Sequence, residues 1–474
     1  MNASPPAITP LAERFAAQRR AFAADSNPPL AARRERLDRL LALLDENEPA
    51  LIAAVDADFG GRAAQETRIA ELHVTRSAIR YALRRLGRWM RTRRVATELA
   101  FLPARNRLAP QPLGVVGIVS PWNYPIQLTL CPLVAALAAG DRALIKPSEL
   151  TPRTSALFAE LIGKYFDPDL VSVIVGDAET GKAFVALPFD HLLFTGSTAV
   201  GRQVAAAAAV NLTPVTLELG GKSPAIFDSS CDLAEASARV AAGKLFNAGQ
   251  TCVAPDYLLV PRGQADAAAT AVGAAMARLY PKLAANPDYT AVISERHRDR
   301  LVALVAEARD AGARIVEINP AGESFADSRK LAPTIVIGAP PTSRLMQEEI
   351  FGPLLPIVEY DGIDEAIDAV NRGARPLALY WFGRDAARRE RWLSQTISGG
   401  VTVNDCLLHF VQEGQPFGGV GASGVGAYHG EWGFRTFSML KPVFHQSRLS
   451  GLPLLRPPYG RVTDWVLAAL KLLP

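Results

Sequence analysis

Cysteine, histidine and long apolar runs are scarce in this sequence. Its 474 residues include four cysteines and six histidines, too few and too scattered for a disulfide framework or a zinc site. No stretch of about 18 apolar residues is present, as a membrane-spanning helix requires, and charges interrupt the N-terminus where a signal peptide needs an apolar core. We therefore expect a protein of a reducing compartment, the cytoplasm, with no metal site.

An excess of charge of one sign is also lacking. The 51 basic and 47 acidic residues leave a net charge of +4, so no polybasic surface and no nucleic-acid partner is implied. The one cationic cluster is expected to be the solvated face of a helix and its exit. It consists of Arg84, Arg85, Arg88, Arg91, Arg93 and Arg94.

The apolar pattern changes along the chain from helical to short and strand-like. Leucines recur at helical spacing between residues 37 and 44, and the loosely alternating residues 95–108 predict an exposed ribbon. From residue 113 onward, short apolar runs alternate with helical windows, which predicts a doubly wound parallel sheet. A second set of such runs follows Cys252 and predicts a second α/β domain.

The expected domain boundaries follow from these changes in pattern. A nucleotide-binding domain is predicted for residues 1–90 and 109–220, and a catalytic domain for residues 221–411. Residues 91–108 and 412–450 are predicted to bridge or oligomerise, and residues 451–474 to form a C-terminal tail. The apolar end of the tail is about half as long as a membrane span, so a packed or surface-lying helix is favoured over membrane contact.

One cysteine stands in a context that suggests chemistry. Cys252 ends the segment Phe-Asn-Ala-Gly-Gln-Thr-Cys, and Glu218 precedes a glycine pair 34 residues earlier. A thiol with an ordinary pKa of roughly 8.5 is a few per cent thiolate near neutral pH and adds readily to a carbonyl carbon. We predict that Cys252 is a nucleophile and that Cys131, Cys231 and Cys406 are structural.

Six blocks in register connect this chain to a known family. The segments beginning at Glu218 and Phe246 resemble two signature motifs of the aldehyde dehydrogenase superfamily, in the same order and spacing. Four further segments match the family in order: residues 121–125, 145–149, 194–197 and 348–353. The resemblance implies an NAD-binding domain, a catalytic domain, a small bridging ribbon through which subunits pair as a homodimer, and an aldehyde substrate.

The resemblance also implies a mechanism. Cys252 would attack the aldehyde carbon, and the Asn123 side chain together with the Cys252 backbone N–H would hold the oxyanion. Loss of hydride to the nicotinamide would leave a thioester on Cys252, which a water activated by Glu218 would hydrolyse.

Further residues are expected to hold the cofactor. Gly196 and Gly201 enclose Ser197 at the start of a predicted helix, which suits a phosphate. Lys146 and Glu149 resemble the pair that holds the adenosine ribose, and a carboxylate there favours NAD, with NADP as the alternative. The remaining predicted cofactor residues are Trp122, Thr195, Glu349 and Phe351. Residues 419–424 match G-x-G-x-x-G but are not predicted to bind cofactor, since no strand precedes and no helix follows them.

The glycine-rich tail narrows the resemblance. Residues 416–430 resemble the class 3 branch, which handles fatty and aromatic aldehydes, and Asp58–Arg62 resembles bacterial coniferyl aldehyde dehydrogenases. The residues predicted to line an aromatic substrate site are Tyr124, His409, Phe410 and Phe417, with ordinary core packing as the alternative for each. The alternative functions are a long-chain fatty aldehyde dehydrogenase, a CoA-acylating dehydrogenase and a non-catalytic nucleotide-binding protein.

Overall fold

The computed structural model describes residues 8–471. Its helices are α1 (Ile8–Ala24), α2 (Leu30–Glu46), α3 (Glu48–Phe59), α4 (Ala64–Glu66), α5 (Val74–Trp89), α6 (Gln127–Ala139), α7 (Pro152–Tyr165), α8 (Ala178–Val185), α9 (Thr198–Ala209), α10 (Leu233–Leu245), α11 (Ala265–Leu279), α12 (Glu295–Asp310), α13 (Arg344–Gln347), α14 (Ile363–Arg372), α15 (Ala386–Gln395), α16 (Gly430–Thr436) and α17 (Arg461–Leu470). A π-helical segment, Thr67–His73, joins α4 to α5.

The strands are β1 (Arg93–Val95), β2 (Arg105–Pro112), β3 (Val115–Val119), β4 (Arg142–Lys146), β5 (Val171–Val173), β6 (His191–Thr195), β7 (Val215–Glu218), β8 (Pro224–Phe227), β9 (Tyr257–Pro261), β10 (Arg314–Glu317), β11 (Thr334–Ile337), β12 (Leu354–Tyr360), β13 (Ala378–Phe382), β14 (Gly400–Val403), β15 (Gly424–Val425) and β16 (Ser438–His445). They form three sheets.

The first large sheet has the order β15-β7-β6-β3-β4-β5 and is parallel except for β15. Its central strands are apolar and buried on both faces, as expected where helices cover a parallel sheet from both sides. All 13 residues of α6 are buried, because this helix lies between the sheet and α2, α5 and α16. The doubly wound α/β fold predicted from the sequence is confirmed.

The second large sheet has the order β10-β11-β12-β9-β8-β13-β14, with only β10 antiparallel in the described chain. Every apolar run proposed as a strand after Cys252 lies in it. The strand β8 was missed, because its four residues follow closely on the motif at Glu218. A third sheet, β1-β2-β16, forms a ribbon apart from the other two.

The glycine-rich tail also takes part in a sheet. Residues 412–450 are predicted to bridge or oligomerise, and within them β15 joins the first large sheet, where Gly424 pairs with Glu218. The G-x-G-x-x-G segment is thus the turn and edge strand beside Glu218. Further along, β16 pairs with β2 over eight residues, as a ribbon requires.

The arginine cluster and the terminal helix lie at the surface, as expected. All six clustered arginines are exposed, and Trp465 in α17 is 74% exposed. Among the described residues, no helix is both long and apolar enough to cross a membrane.

We expect the indole of Trp392 to be a main support of the second large sheet. It is 1% exposed and packs with Trp381 and Tyr360. Trp392→Ala should lower the free energy of unfolding by about 3–5 kcal/mol, because burial is lost and a cavity is left. Chemical denaturation followed by circular dichroism measures this.

The matched control is Trp465→Ala. Because that side chain is solvated, its removal should change the free energy of unfolding by less than about 0.5 kcal/mol. Equal effects of the two substitutions would contradict this account of the core.

Candidate active site

Two cavities meet at Cys252. An apolar cavity of about 290 Å³ has Tyr124, Phe246, Phe410 and Cys252 in its wall. A cleft of about 540 Å³ between the two large sheets has Asn123, Glu218, Glu349 and Cys252 in its wall. The thiol therefore lies where a molecule in the apolar cavity would meet a molecule in the cleft.

The segment before Cys252 has an unusual backbone conformation that neighbouring groups hold in place. Asn247, Ala248 and Gly249 all have positive φ angles, of 51°, 51° and 76°, a conformation that non-glycine residues adopt only when their surroundings enforce it. A Cβ on Gly249 would overlap the carbonyl of Gly352. The Gln250 amide closes the turn, since its Nε2 donates to the carbonyls of Asn247 (3.1 Å) and Ala291 (3.0 Å).

A buried ion pair holds Asn123 in place. The Arg62 Nη1 donates to the Asn123 carbonyl at 2.8 Å and lies 3.2 Å from Glu71 Oε1, with both side chains 0% exposed. Glu71 in turn accepts from the N–H of Ile126 at 2.6 Å. The turn that carries Asn123 is thus fixed from behind, and neither Arg62 nor Glu71 was identified from the sequence.

A second carboxylate ties the cysteine segment to the same support. Glu66 Oε1 accepts from the Asn247 N–H at 3.0 Å, and the Asn247 Nδ2 donates to the Asn123 carbonyl at 3.1 Å. The Asn123 Nδ2 donates to the Gln250 carbonyl at 3.2 Å. Asn123 and Cys252, which are far apart in sequence, are thereby held in one rigid unit.

Cys252 and the groups around it form the junction of the two cavities, and burial changes the pKa values of these groups. It raises the pKa of Cys252 to about 12, with the carboxylates of Glu349 and Glu218 adding to the rise. It also raises the pKa of Glu218 well above its usual range, and both Glu218 oxygens lack a hydrogen-bond partner within residues 8–471. Burial therefore disfavours the thiolate of Cys252 relative to that of an exposed thiol.

The cleft has the features that a dinucleotide requires. It is walled by Trp122, Thr195, Gly196, Ser197 and Phe351, with Trp122 and Phe351 in edge-to-face contact at 5.3 Å. The hydroxyl of Thr195 is buried without a partner among the described residues, and Ser197 caps the N-terminus of α9. Predicted cofactor residues from β3, β6 and the second domain are thus brought to one cleft, and they fit NAD.

Three other predicted cofactor residues do not line the cleft: Lys146, Glu149 and Gly201. The Lys146 Nζ donates to the Pro147 carbonyl at 2.8 Å and lies 3.8 Å from Glu149 Oε2 at the end of β4. Gly201 packs against Leu219 without room for a Cβ. Their contact with a cofactor stays a prediction.

Glu349 is half-buried and lines the cleft. Burial raises its pKa to about 8, although the Gly221 N–H and the cations Lys222 and Arg300 favour its charged form. A Cβ on Gly220 would overlap the Glu349 carboxylate, which explains a glycine at that position.

The predicted substrate residues separate into three groups. Tyr124 and Phe410 line the apolar cavity, where the Tyr124 hydroxyl lies 2.6 Å from Thr251 Oγ1. Phe417 lines the cleft instead. His409 lines neither of these two cavities; its Nδ1 lies 2.8 Å from Thr402 Oγ1, and its ring stacks on Phe417.

No sequence pattern indicated the other wall residues of the apolar cavity. They come from the π-helical segment, α5, α6, α10 and the 405–411 loop, and they include Ile69, Val74, Gln127, Leu128, Arg239 and Leu408.

Comparison with known proteins agrees with this geometry. The profile of the Aldehyde dehydrogenase family matches residues 11–443. The chain belongs to the aldehyde dehydrogenase family. It is 46% identical to coniferyl aldehyde dehydrogenase of Pseudomonas sp. (strain HR199 / DSM 7063) over 99% of this chain and 98% of the relative. It is 42% identical to aldehyde dehydrogenase family 3 member A2 of Mus musculus over 90% of this chain and 86% of that protein.

Solved structures of this family share the fold. The substrate-bound AldH of Staphylococcus aureus superposes with a TM-score of 0.91 at 38% identity, covering 99% of this chain and all of that one. An indole-3-acetaldehyde dehydrogenase solved with NAD+ gives 0.84 at 26% identity, over 93% of this chain and 89% of that one. The predicted family, class 3 likeness and cofactor type are confirmed, and the chain is an oxidoreductase.

The protonation state of Cys252 can be tested directly. Because burial raises its thiol pKa to about 12, alkylation of Cys252 by iodoacetamide should be slow at neutral pH. Its rate should rise about tenfold per pH unit between about pH 7 and 9, in proportion to the thiolate fraction. Peptide mass spectrometry separates Cys252 from the other three cysteines.

The half-buried Cys231, whose pKa burial raises to about 11, serves as an internal control in the same digest. A rate at Cys252 that levels off below pH 9 would show that the resting thiol is already activated.

Proposed function

We propose that this protein is an NAD-dependent dehydrogenase that oxidises an aromatic or unsaturated aldehyde, of the coniferyl aldehyde type, to the carboxylic acid. The observation that carries this proposal is the position of Cys252. Its thiol is shared by an apolar cavity walled by aromatic rings and a cleft that contains Glu218 and Glu349.

The residues of the junction suit a two-step mechanism. After its thiol has lost its proton to water, the Cys252 sulfur would form a bond to the aldehyde carbon, and the Asn123 amide and the Cys252 backbone N–H would stabilise the oxyanion. Losing one such donor typically costs about 3–4 kcal/mol of transition-state stabilisation. NAD, when bound in the cleft, would supply the hydride acceptor.

Glu218 would act in the second step. As a carboxylate it would take a proton from the water that attacks the thioester carbon, and the Cys252 sulfur would leave. Its burial favours this role, since a desolvated carboxylate is a stronger base than a solvated one. Glu149, 51% exposed in its side chain beside Lys146, would disfavour the 2′-phosphate of NADP.

The apolar cavity supports a ring-bearing substrate. Tyr124 and Phe246 lie parallel with ring centroids 6.5 Å apart, and Phe410 lines the same cavity. Aromatic walls favour an aromatic aldehyde through stacked and edge contacts. A long-chain aldehyde is the second candidate, because the same wall would accommodate an alkyl chain.

Homodimer assembly is proposed through the ribbon of β1, β2 and β16. Apolar side chains are exposed on and beside it, namely Val95, Phe101, Met439 and Phe444. The cytoplasmic location stays a prediction.

We expect Glu218→Gln to separate the two chemical steps. The variant should produce a burst of about one NADH per site, because Cys252 and Asn123 are unchanged. Its steady-state turnover should fall about 10²–10⁴-fold, because the base is missing. Stopped-flow absorbance of NADH measures both.

Cys252→Ala is the matched control, since it should bind NAD and give no NADH. A variant Glu218→Gln that loses burst and turnover together would refute the hydrolytic role. Steady NADH formation by Cys252→Ala would place the nucleophile elsewhere.

Substrate class is decided by kcat/KM for coniferyl aldehyde against decanal. We expect coniferyl aldehyde to be preferred by about tenfold or more, equal to about 1.4 kcal/mol from aromatic contacts. Phe410→Leu should reduce the preference while keeping decanal oxidation. A preference for decanal in the unchanged enzyme would support the long-chain alternative instead.

A further inference from the structure

One charged pair lies in the wall of the apolar cavity beside Cys252. Among the residues that the structure describes, Arg239 and Asp405 are the only charged residues that line this cavity. The Arg239 Nη1 lies 3.8 Å from Asp405 Oδ2, and each side chain is 36% exposed. Ligand cavities are commonly apolar, with a small number of polar groups that fix the orientation of the ligand. The pair has the position and the chemistry of such groups.

The pair lies at the end of the cavity away from the thiol. Arg239, Ala242 and Phe246 all line the cavity, and their i, i+3, i+7 spacing places them on one face of α10 and its exit. Phe246 marks the thiol end, because its carbonyl lies 3.5 Å from the Oγ1 of Thr251, the residue before Cys252. Seven helical residues rise about 10 Å. Arg239 is therefore about two helical turns from the reacting end.

The other polar groups of the wall belong to the thiol end. The Tyr124 hydroxyl and Thr251 Oγ1 lie 2.6 Å apart and satisfy each other. Gln127 adjoins Leu128, which lines both the apolar cavity and the cleft. The far end of a bound aldehyde would therefore meet the Arg239–Asp405 pair and otherwise apolar groups.

Both members of the pair keep hydrogen-bonding capacity. Arg239 donates from Nη1 to the Asn404 carbonyl and from Nη2 to Glu235, while its Nε donates to no residue of the described chain. Asp405 Oδ1 accepts from the Cys406 N–H at 2.7 Å. Asp405 Oδ2 accepts no hydrogen bond from the described residues, since its distance of 3.8 Å from Arg239 is too long for one. One donor and one acceptor thus lie close together.

The loop that carries Asp405 is held firmly against α10. Asn404 and Leu407, on either side of Asp405, have positive φ angles of 57° and 68°, which are costly and persist only where the surroundings enforce them. A Cβ on Gly243 of α10 would overlap the Cβ of Cys406. Close contact between helix and loop therefore fixes Asp405 beside Arg239.

We propose that Arg239 and Asp405 select aldehydes that carry a hydroxyl group on the ring carbon opposite the aldehyde-bearing chain. A phenol is both a donor and an acceptor. Its O–H would donate to Asp405 Oδ2, and its oxygen would accept from Arg239. This inference rests on the proposed function and narrows it to 4-hydroxyaryl aldehydes, of which coniferyl aldehyde is one.

The test compares three aldehydes that differ only at that ring position: cinnamaldehyde, 4-hydroxycinnamaldehyde and 4-methoxycinnamaldehyde. The unchanged enzyme should prefer the hydroxyl compound to cinnamaldehyde by about fivefold or more in kcat/KM. The difference should lie in KM, because a contact remote from the carbonyl is the same in ground state and transition state. The methoxy compound should fall between the two, since its oxygen accepts a hydrogen bond and donates none.

Two variants remove the members of the pair separately. Arg239→Met deletes the donors and keeps most of the apolar stem, and Asp405→Ala deletes the acceptor. Each should lower the preference for the hydroxyl compound to about twofold or less, with kcat/KM for cinnamaldehyde unchanged. Asp405→Ala should also oxidise the hydroxyl and methoxy compounds equally well, because the acceptor for the O–H is gone.

Matched controls delete similar groups that do not line the apolar cavity. Arg435→Met removes an arginine that pairs with Glu431, four residues before it, at 2.6 Å. Asp169→Ala removes a carboxylate whose Oδ1 lies 3.7 Å from Arg142 Nη1. Both should keep the full preference for the hydroxyl compound.

Each other result counts against the proposal. Equal kcat/KM of the unchanged enzyme for the three aldehydes would overturn it and leave the proposed function in place. Variants that retain the hydroxyl preference would also overturn it, as would variants that lose activity on all three aldehydes in the same proportion. Failure of the unchanged enzyme to oxidise any of the three would contradict the proposed function, and the selection with it.

Discussion

The geometry of the active site depends on the hydrogen bonds that the Asn123 carbonyl accepts. This one oxygen takes a hydrogen bond from Arg62 Nη1 and another from Asn247 Nδ2, so it links the turn after β3 to the segment before Cys252. Arg62 is a fully buried cation whose charge is balanced by Glu71. Removing one partner of such a pair typically costs about 3–5 kcal/mol, since the other charge is left buried and alone. The proposed oxyanion donor and the proposed nucleophile are therefore positioned by groups that line neither cavity.

The same burial that makes this support rigid determines the chemistry at the junction. Cys252, Glu218 and Glu349 share one poorly solvated region, where burial raises the pKa of all three and the two carboxylates add to the rise at Cys252. Only a small number of negative charges can exist there at once. A thiolate and a carboxylate base would thus be formed in turn, each when the other group is neutral or covalently bound. A covalent thioester satisfies this condition, since it removes the sulfur charge before Glu218 must act.

The sequence predicted the fold well, because the fold depends on local signals. Short apolar runs identified nearly every central strand, and strand ends brought Asn123, Thr195 and Glu218 to one edge. The support behind the site was not predicted. Glu66 and Glu71 lie in a helical segment whose pattern resembles an ordinary solvated surface, and Arg62 lies in the loop before it. Only the three-dimensional fold places them under the site. The positions of the aromatic residues were not predicted for a similar reason. Sequence alone does not say whether His409, Phe410 or Phe417 faces a cavity or a neighbouring ring.

The tail shows how assembly and catalysis could share one segment. Gly424 pairs with Glu218, α16 packs against α6 directly after the Asn123 turn, and β16 then enters the ribbon. Glycine is required on this path, since a Cβ on Gly424 would overlap the Leu217 carbonyl. About twenty residues therefore fix the edge of the sheet that carries the candidate base and anchor the ribbon. A displacement of the ribbon would be transmitted to Glu218 through paired strands and a packed helix, because close-packed elements have low compressibility. The glycine-rich segment is therefore more than a connection between domains. It holds the candidate base, Glu218, and the ribbon at a fixed distance from each other.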